Sequence, residues 1–219
     1  MALRNRKTGH VVAIDIDGTL GDHYNHLAHF AELWLGREVK YNPALGWPQG
    51  AAKFQFNKAL GIGKPTYRQI KLAYRQGGLK RSMPLYEGAY ELISSLRAMG
   101  VEIWICTSRP AYKLDTMEPD TKHWLRVNRI TFDHMIFGDN KYHDLVKQVP
   151  HNKIVCVLDD LTEMIAQATR LRLPAMLIER PHNADRPWLS AARGELTASN
   201  LVDARFKIER MVVDARARD

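Results

Sequence analysis

Five short apolar runs constrain most strongly how this chain can fold. Each is four to six residues long, apolar on both faces and partly β-branched, as the buried strands of a parallel sheet are. Segments with the apolar spacing of amphipathic helices lie between them. The runs are Val11–Ile14, Val101–Cys106, His134–Phe137, Ile154–Leu158 and Ala175–Ile178. This alternation predicts an α/β protein in which helices flank a parallel sheet.

One long stretch departs from the alternation. Residues 21–83 separate the first strand from the helix before the second, and this is far longer than an ordinary connection between a strand and a helix. Because helical patterns occur at Tyr24–Leu35 and Pro65–Gln76, we predict a small helical insert there. The predicted organisation is a core of residues 1–20 and 84–190, the insert of residues 21–83, and a C-terminal helical tail of residues 191–219. The helical pattern of the tail runs through Phe206, Ile208, Met211 and Val212, and it leaves packing on the core, dimerisation and fraying equally open.

Composition excludes several classes of protein. No apolar run approaches the ~18 residues of a membrane span, and the N-terminus lacks the apolar region and cleavage site of a signal peptide. Cys106 and Cys156 are the only cysteines, so a disulfide framework is excluded, and we expect both to be small buried hydrophobes. We therefore expect a cytoplasmic globular protein that does not bind membranes.

The basic residues are concentrated in the insert. The sequence has 219 residues and a net charge of +8, from 32 Lys and Arg against 24 Asp and Glu. The insert alone holds ten Lys and Arg against three Asp and Glu, so its balance is +7. A basic excess predicts an anionic partner, such as a nucleotide, a nucleic acid or a membrane surface. Because the excess is concentrated in the insert, we expect it to gather a phosphorylated substrate rather than to bind membranes.

Pairs of carboxylates follow two of the predicted strands. Asp15 and Asp17 come directly after the first strand, and Asp159 and Asp160 end the fourth. Open α/β sheets bind ligands at the carboxyl ends of their strands, where such residues would meet. Carboxylates from two neighbouring strands would form an oxygen site suited to Mg²⁺.

Hydroxyl and cationic residues complete this edge. Thr107, Ser108 and Arg109 follow the second strand, where they could bind the oxygens of a phosphate. Lys141 and Lys147 precede the strand that carries Asp159, and a positive charge is needed where an anionic substrate meets several carboxylates. Each of these signals is weak alone, because polar residues often end strands and single lysines are usually solvated.

Together and in this order, the segments resemble the haloacid dehalogenase superfamily of phosphohydrolases. Asp15–Leu20 matches the first motif of that family fully, Thr107 lies at the hydroxyl of the second, and Asp159–Asp160 matches the fourth. For the lysine of the third motif we prefer Lys147, twelve residues before Asp159, over Lys141.

The resemblance runs from about Val11 to Asn183 and does not cover the insert or the tail. It implies a Rossmann-like parallel sheet with a cap at the position of the insert.

The same resemblance implies a mechanism. Asp15 would attack phosphorus and form an aspartyl-phosphate, while Asp17 would protonate the leaving oxygen and later activate water. Thr107 and Lys147 would hold the phosphoryl oxygens. Since two carboxylates share the site, we expect a raised pKa for Asp17. The implied Mg²⁺ ligands are Asp15, Asp159 and Asp160, with Asp17 binding through its backbone carbonyl.

Two subfamilies suggest different substrates. Cys106–Pro110, and Glu179–Asn183 followed by Arg186–Trp188, resemble segments of 5′(3′)-deoxyribonucleotidases. Arg109 and Thr121–Trp124 instead resemble the 3′-phosphatase domain of polynucleotide kinases. We expect a phosphatase of (deoxy)nucleotides, with a polynucleotide 3′-phosphatase as the alternative. A basic nucleic-acid-binding module on a degenerate fold is the hypothesis without enzymatic activity.

The insert is expected to shape the substrate site. Lys64, Arg68, Lys71 and Arg75 lie on one helical face, next to Tyr67, Ile70 and Tyr74. Cations beside aromatic rings suit a nucleobase with a phosphate, or a short single strand. Lys64, Arg68 and Lys71 are therefore candidate substrate-binding residues, although a solvated amphipathic helix has the same pattern. His23, His26 and His29 could line the cap over the active site.

Overall fold

Six parallel strands form one sheet in the computed structural model of the chain, which describes residues 9–49, 51, 53–184 and 196–219. The strand order is β3-β2-β1-β4-β5-β6, and every neighbouring pair is parallel. The strands are β1 (Val11–Ile14), β2 (Glu102–Thr107), β3 (His134–Phe137), β4 (Ile154–Asp159), β5 (Ala175–Ile178) and β6 (Leu196–Ala198). The predicted α/β class with a parallel sheet is confirmed.

Helices cover both faces of the sheet and form the insert. They are α1 (His23–Leu35), α2 (Phe56–Ala59), α3 (Lys64–Gln76), α4 (Ala89–Ala98), α5 (Met117–Val127), α6 (Lys141–Gln148), α7 (Thr162–Arg170) and α8 (Leu201–Arg216). Short 3₁₀ turns occur at Pro43–Gly46, Leu79–Ser82 and His151–Lys153. Within the described ranges, no helix is both long and apolar enough to cross a membrane.

Strand β1 is central, and its side chains divide between two cores. Val12 and Ile14 pack in one apolar cluster with residues of α4 and α8. Val11 and Ala13 face the other side and pack with residues of α6 and α7. Both faces of β1 are covered, which is why all of its residues are apolar. Asp15, which follows this strand directly, is therefore buried as well.

The insert has an apolar cluster of its own. Leu27 and Ala31 of α1 pack with Ile70 and Tyr74 of α3 and with Phe56. The helical pattern of α3 therefore buries its Ile and Tyr face, as the sequence indicated, and leaves the basic face outside this cluster. Both helices begin within one residue of the predicted positions.

The C-terminal segment is part of the main fold. Leu196–Ala198 pair in parallel with β5, and α8 packs against α4 and the sheet through Leu201, Ala204, Ile208 and Val212. Phe206, which the sequence pattern placed in the apolar stripe, is 57% exposed. The strand was not predicted, because three residues at a sheet edge carry no periodic signal.

We expect Ile208→Ala to lower the free energy of unfolding by about 2–5 kcal/mol, because it leaves a cavity where α8 meets the sheet. Urea denaturation measures this loss. The matched control is Val213→Ala on the same helix, where the side chain is 56% exposed and the change should stay within about 0.5 kcal/mol. Equal, small effects of both variants would contradict the packing of α8 on the core.

Candidate active site

Three buried carboxylates meet at the carboxyl ends of β1 and β4. Asp15 follows β1, Asp159 ends β4, and Asp160 is the next residue. Asp15 is 4% exposed and the other two are fully buried. Each offers an oxygen, and these oxygens all lie within 4.8 Å of one another. The carboxylate cluster (Asp15, Asp159, Asp160) therefore forms where the strand ends predicted it.

Lys141 compensates part of this negative charge. Its Nζ lies 2.6 Å from Asp15 Oδ1 and 2.6 Å from Asp159 Oδ2, and Tyr142 Oη donates to Asp159 Oδ2 at 2.7 Å. Burial alone would lower the pKa of Lys141, but the two carboxylates outweigh burial and raise it. Burial raises the pKa of Asp15 well above its usual range, with Lys141 opposing the shift.

The structure places Lys141 at the carboxylate cluster, not Lys147, so the preference for Lys147 was wrong. Lys147 Nζ lies 2.8 Å from Asp144 Oδ1, and its side chain is 72% exposed. Helix α6 begins at Lys141, directly at the strand ends, so Lys147 lies about 9 Å further along the helix axis. Spacing before Asp159 could not reveal which turn of α6 faces the carboxylates.

Asp160 holds the turn that follows β1. Its Oδ1 accepts from Thr19 Oγ1 at 2.9 Å, and its Oδ2 accepts from Tyr24 Oη at 3.2 Å and lies 2.9 Å from His182 Nε2. Gly18 in this turn has φ +94°, and a Cβ there would lie 2.2 Å from Asp160 Oδ2. Only glycine fits this conformation and this close approach.

The segment after β5 supports the same turn. Arg180 donates from Nε to the carbonyl of Gly18 at 2.7 Å and from Nη2 to that of Thr19 at 2.9 Å. Asn183 Nδ2 donates to the backbone carbonyl of Asp160 at 2.8 Å. Residues 186–188, which also carry the resemblance to deoxyribonucleotidases, lie outside the described residues.

The carboxylate cluster fits a hard divalent cation. All three side chains offer oxygen donors, which is the donor chemistry that Mg²⁺ and Ca²⁺ prefer. Asp15, Asp159 and Asp160 would hold such an ion. Two of the three, Asp159 and Asp160, also accept hydrogen bonds on both oxygens. The side chain of Asp17 does not belong to the cluster.

Asp17 is instead held by two cations. Arg109 Nη2 donates to Asp17 Oδ1 at 2.6 Å, Arg109 Nε lies 3.2 Å from both carboxylate oxygens, and Lys80 Nζ contacts Oδ2. Lys80 Nζ also lies 3.0 Å from His23 Nδ1. Burial would raise the pKa of Asp17, but Arg109 and Lys80 outweigh it and hold that pKa well below its usual range. The expected raised pKa of Asp17 was therefore wrong.

Residues after β2 form another wall of the site. Thr107 is buried, and its Oγ1 accepts from the backbone N–H of Arg109 at 3.4 Å. Ser108 Oγ is buried and has no hydrogen-bond partner among the described residues. The Arg109 guanidinium, expected to bind phosphate, donates to Asp17 and, at 2.9 Å, to Thr121 Oγ1.

A cavity of about 830 Å³ lies between the strand ends and the insert. Asp15, Asp17, Thr107, Ser108 and Arg109 line it from the core. The insert contributes aromatic and basic side chains, including Phe54, Phe56, Tyr67, Lys53, Lys64, Lys71 and Arg75.

The structure separates some residues that the sequence grouped together. Arg68 is exposed and does not line the cavity. Of the three histidines, His23 lines it, His26 Nδ1 lies 2.7 Å from Tyr74 Oη, and His29 is exposed beside Glu32. The histidines therefore do not form one site.

Two buried residues of the site were not predicted from the sequence. Lys80 lies in a 3₁₀ turn near the end of the insert, in a charged run that is typical of solvated surface. Its burial depends on Asp17 and His23, which are distant in sequence. Tyr142 follows Lys141 on α6, and only the assignment of that lysine to the site could have indicated it.

No family model and no curated protein matches the chain, but its structure is similar to solved structures. One, described as a predicted phosphatase from Clostridium acetobutylicum, is 17% identical, with 92% of this chain and 98% of that chain covered and a TM-score of 0.64. A haloacid dehalogenase-like family hydrolase from Streptococcus pneumoniae is 13% identical, with coverages of 90% and 97% and a TM-score of 0.61. CbbY from Rhodobacter sphaeroides, in complex with xylulose-1,5-bisphosphate, is 14% identical, with coverages of 88% and 94% and a TM-score of 0.56.

At these identities the similarity shows the fold. The chain has the α/β fold of haloacid dehalogenase-like hydrolases, which is the fold implied by its first motif, Asp15–Leu20. A more specific similarity to deoxyribonucleotidases or to polynucleotide 3′-phosphatases is not among these findings. The site must therefore be interpreted from its own chemistry.

We expect Mg²⁺ to raise the melting temperature of the protein by roughly 5 °C or more at about 100 times its Kd, because it relieves repulsion in the carboxylate cluster. Asp159→Asn removes one ligand and should abolish most of this increment. Differential scanning calorimetry, with NaCl at equal ionic strength as reference, measures it. Asp144→Asn, a surface change outside the cavity, should retain the increment, and retention in Asp159→Asn would contradict the assigned metal site.

Proposed function

We propose that this protein is a Mg²⁺-dependent phosphatase that hydrolyses phosphomonoesters of (deoxy)nucleotides, with Asp15 as the nucleophile. One observation carries the proposal: the buried Asp15 carboxylate lines a cavity beside Asp159 and Lys141, opposite a basic, aromatic insert. Transfer of a phosphoryl group to an aspartate requires a carboxylate nucleophile, a nearby cation and a metal site formed by carboxylates. The aromatic side chains of the insert supply surfaces for a nucleobase.

The reaction proceeds in two displacements. An oxygen of Asp15 attacks phosphorus, the bond from phosphorus to the ester oxygen breaks, and an aspartyl-phosphate forms. The leaving oxygen takes a proton and departs as an alcohol. Water then attacks the same phosphorus after losing a proton, the bond to Asp15 breaks, and inorganic phosphate leaves with the carboxylate regenerated.

Charge compensation is the main demand on the site. A carboxylate and a phosphate dianion repel each other, so Asp15 needs positive charge on the phosphoryl oxygens. Lys141, which already contacts Asp15, supplies one such charge, and Thr107 and Ser108 supply hydroxyl donors at the end of β2. The carboxylate cluster would hold a divalent cation, which would supply further charge neutralisation.

Asp17 serves as the acid and then the base. Arg109 and Lys80 favour its ionised form, which is the form that accepts a proton from water in the second displacement. Protonation of the leaving oxygen in the first displacement requires the neutral form. The contacts with Arg109 and Lys80 therefore favour the role of Asp17 as the base and oppose its role as the acid.

We expect wild-type protein to hydrolyse p-nitrophenyl phosphate and 5′- or 3′-deoxyribonucleotides with Mg²⁺, and Asp15→Asn to reduce kcat at least about 10³-fold, because an amide cannot form the aspartyl-phosphate. Colorimetric release of phosphate measures both. Absence of wild-type turnover on every nucleotide and on p-nitrophenyl phosphate would contradict the proposal and favour a binding module on this fold.

The second candidate, a 3′-phosphatase of nucleic-acid ends, is supported by the same basic insert. A 3′-phosphorylated oligonucleotide, assayed beside the deoxyribonucleotides, separates the two. Preference for the oligonucleotide, with affinity that falls steeply as salt rises, would favour the strand end.

We expect Lys141→Met to lower kcat about 100-fold or more, because Asp15 and Asp159 lose the cation between them. Lys147→Met on the same helix removes an equal charge at an exposed position and should change kcat less than about 2-fold. Steady-state kinetics on p-nitrophenyl phosphate compares the two. A larger loss in Lys147→Met would restore the preference drawn from sequence spacing.

A further inference from the structure

Two cations of α3 are half-buried at the cavity and lack a compensating charge. Lys71 and Arg75 both line the cavity, one helical turn apart on the insert. Among the described residues, neither has a carboxylate within ion-pair distance. Lys71 Nζ lies over the ring of Tyr67, 5.5 Å from its centroid, a contact that leaves the charge uncompensated.

The electrostatics of this pair agree with the geometry. Burial and the neighbouring charge of Arg75 lower the pKa of Lys71 to about 8, while Asp17 opposes the shift. Burial also lowers the pKa of Arg75, and Asp17 again opposes. Each cation is therefore partly desolvated, repelled by the other and attracted toward the catalytic side of the cavity, which is the environment that a bound anion would stabilise.

Several other cations among the described residues are already paired. Lys80, Arg109 and Lys141 contact the carboxylates of the site. On the surface of the core, Lys122 pairs with Glu118 and Lys207 with Asp203, at 2.6 and 2.8 Å. In the described ranges, the other unpaired cations that line the cavity are exposed, namely Lys53, Lys58, Lys64 and Lys113. Lys71 and Arg75 differ from them because they are half-buried without an ion pair.

We infer that Lys71 and Arg75 form a second anion subsite, which holds a phosphate of the substrate other than the one that Asp15 attacks. The inference rests on the proposed function and specifies its substrate as a nucleoside bisphosphate. Arginine and lysine bind phosphate through charge-assisted hydrogen bonds. The cavity, at about 830 Å³, lies within the range that holds a whole drug-sized ligand.

Aromatic side chains favour a nucleoside as the part that joins the two phosphates. Phe54, Phe56 and Tyr67 line the cavity on the same insert as the two cations, and a base can stack on such rings. The terminus of a nucleic-acid strand would also bring a second phosphate. The small molecule is favoured because Arg68, which would continue the basic track along α3, is exposed and lies outside the cavity lining.

The test compares 2′-deoxyadenosine 3′,5′-bisphosphate with 2′-deoxyadenosine 5′- and 3′-monophosphates in the full-length protein with Mg²⁺. We expect kcat/KM of the wild type to be at least about 10-fold higher for the bisphosphate, through a lower KM. Lys71→Met and Arg75→Met should each reduce this ratio about 10-fold. Lys40→Met removes an exposed insert cation away from the cavity and should leave the ratio within about 2-fold.

The outcomes separate the inference from the proposed function. Equal use of mono- and bisphosphates, with turnover that Asp15→Asn abolishes, would overturn the subsite and leave the phosphatase standing. No turnover of any of these compounds or of p-nitrophenyl phosphate would overturn both. Preference for a 3′-phosphorylated oligonucleotide over the bisphosphate would overturn the small-molecule substrate in favour of a strand end. The ratio of kcat/KM for the bisphosphate to that for the monophosphates is measured on the wild type alone. It therefore tests the subsite even if a variant fails to fold.

Discussion

The contact of Lys141 with Asp15 and Asp159 is the interaction on which the rest of the site depends. Three carboxylates at most 4% exposed repel each other strongly in a medium of low polarity, and Lys141 offsets part of that repulsion. The topology brings it there. Helix α6 connects β3, at one edge, to β4 on the far side of β1. It therefore crosses the sheet and begins at the carboxyl ends of the central strands, with Tyr142 packed beside β1.

A second group of charges ties the insert to the core. Asp17 follows β1, Arg109 follows β2, and Lys80 and His23 lie near the two ends of the insert. Their contacts converge on one carboxylate. Because Lys80 is buried, removing Asp17 from this group leaves a desolvated cation without its partner. The position of the insert and the state of Asp17 are thus linked through a shared set of charges.

The features predicted correctly from the sequence are those with a periodic apolar pattern and those that lie at the ends of strands. Buried strands and amphipathic helices have periodic apolar patterns, and Asp15 and Asp159 follow strands whose carboxyl ends must meet. Contacts between distant segments leave no such pattern. The burial of Lys80 depends on Asp17, 63 residues away, and the choice of Lys141 depends on where α6 begins. Strand β6 has three residues and forms only because β5 offers an open edge.

The same distinction applies to charge. Counting the charged residues of the sequence gives the insert a net charge of +7. The count does not show which of these cations are available to a ligand. Lys80 already neutralises a core carboxylate, and Arg68 faces solvent, where water and salt screen it. Lys71 and Arg75 are desolvated without being neutralised. A charge in that state interacts more strongly with an anion than a solvated one does, so two residues of the insert matter more for recognition than its total charge.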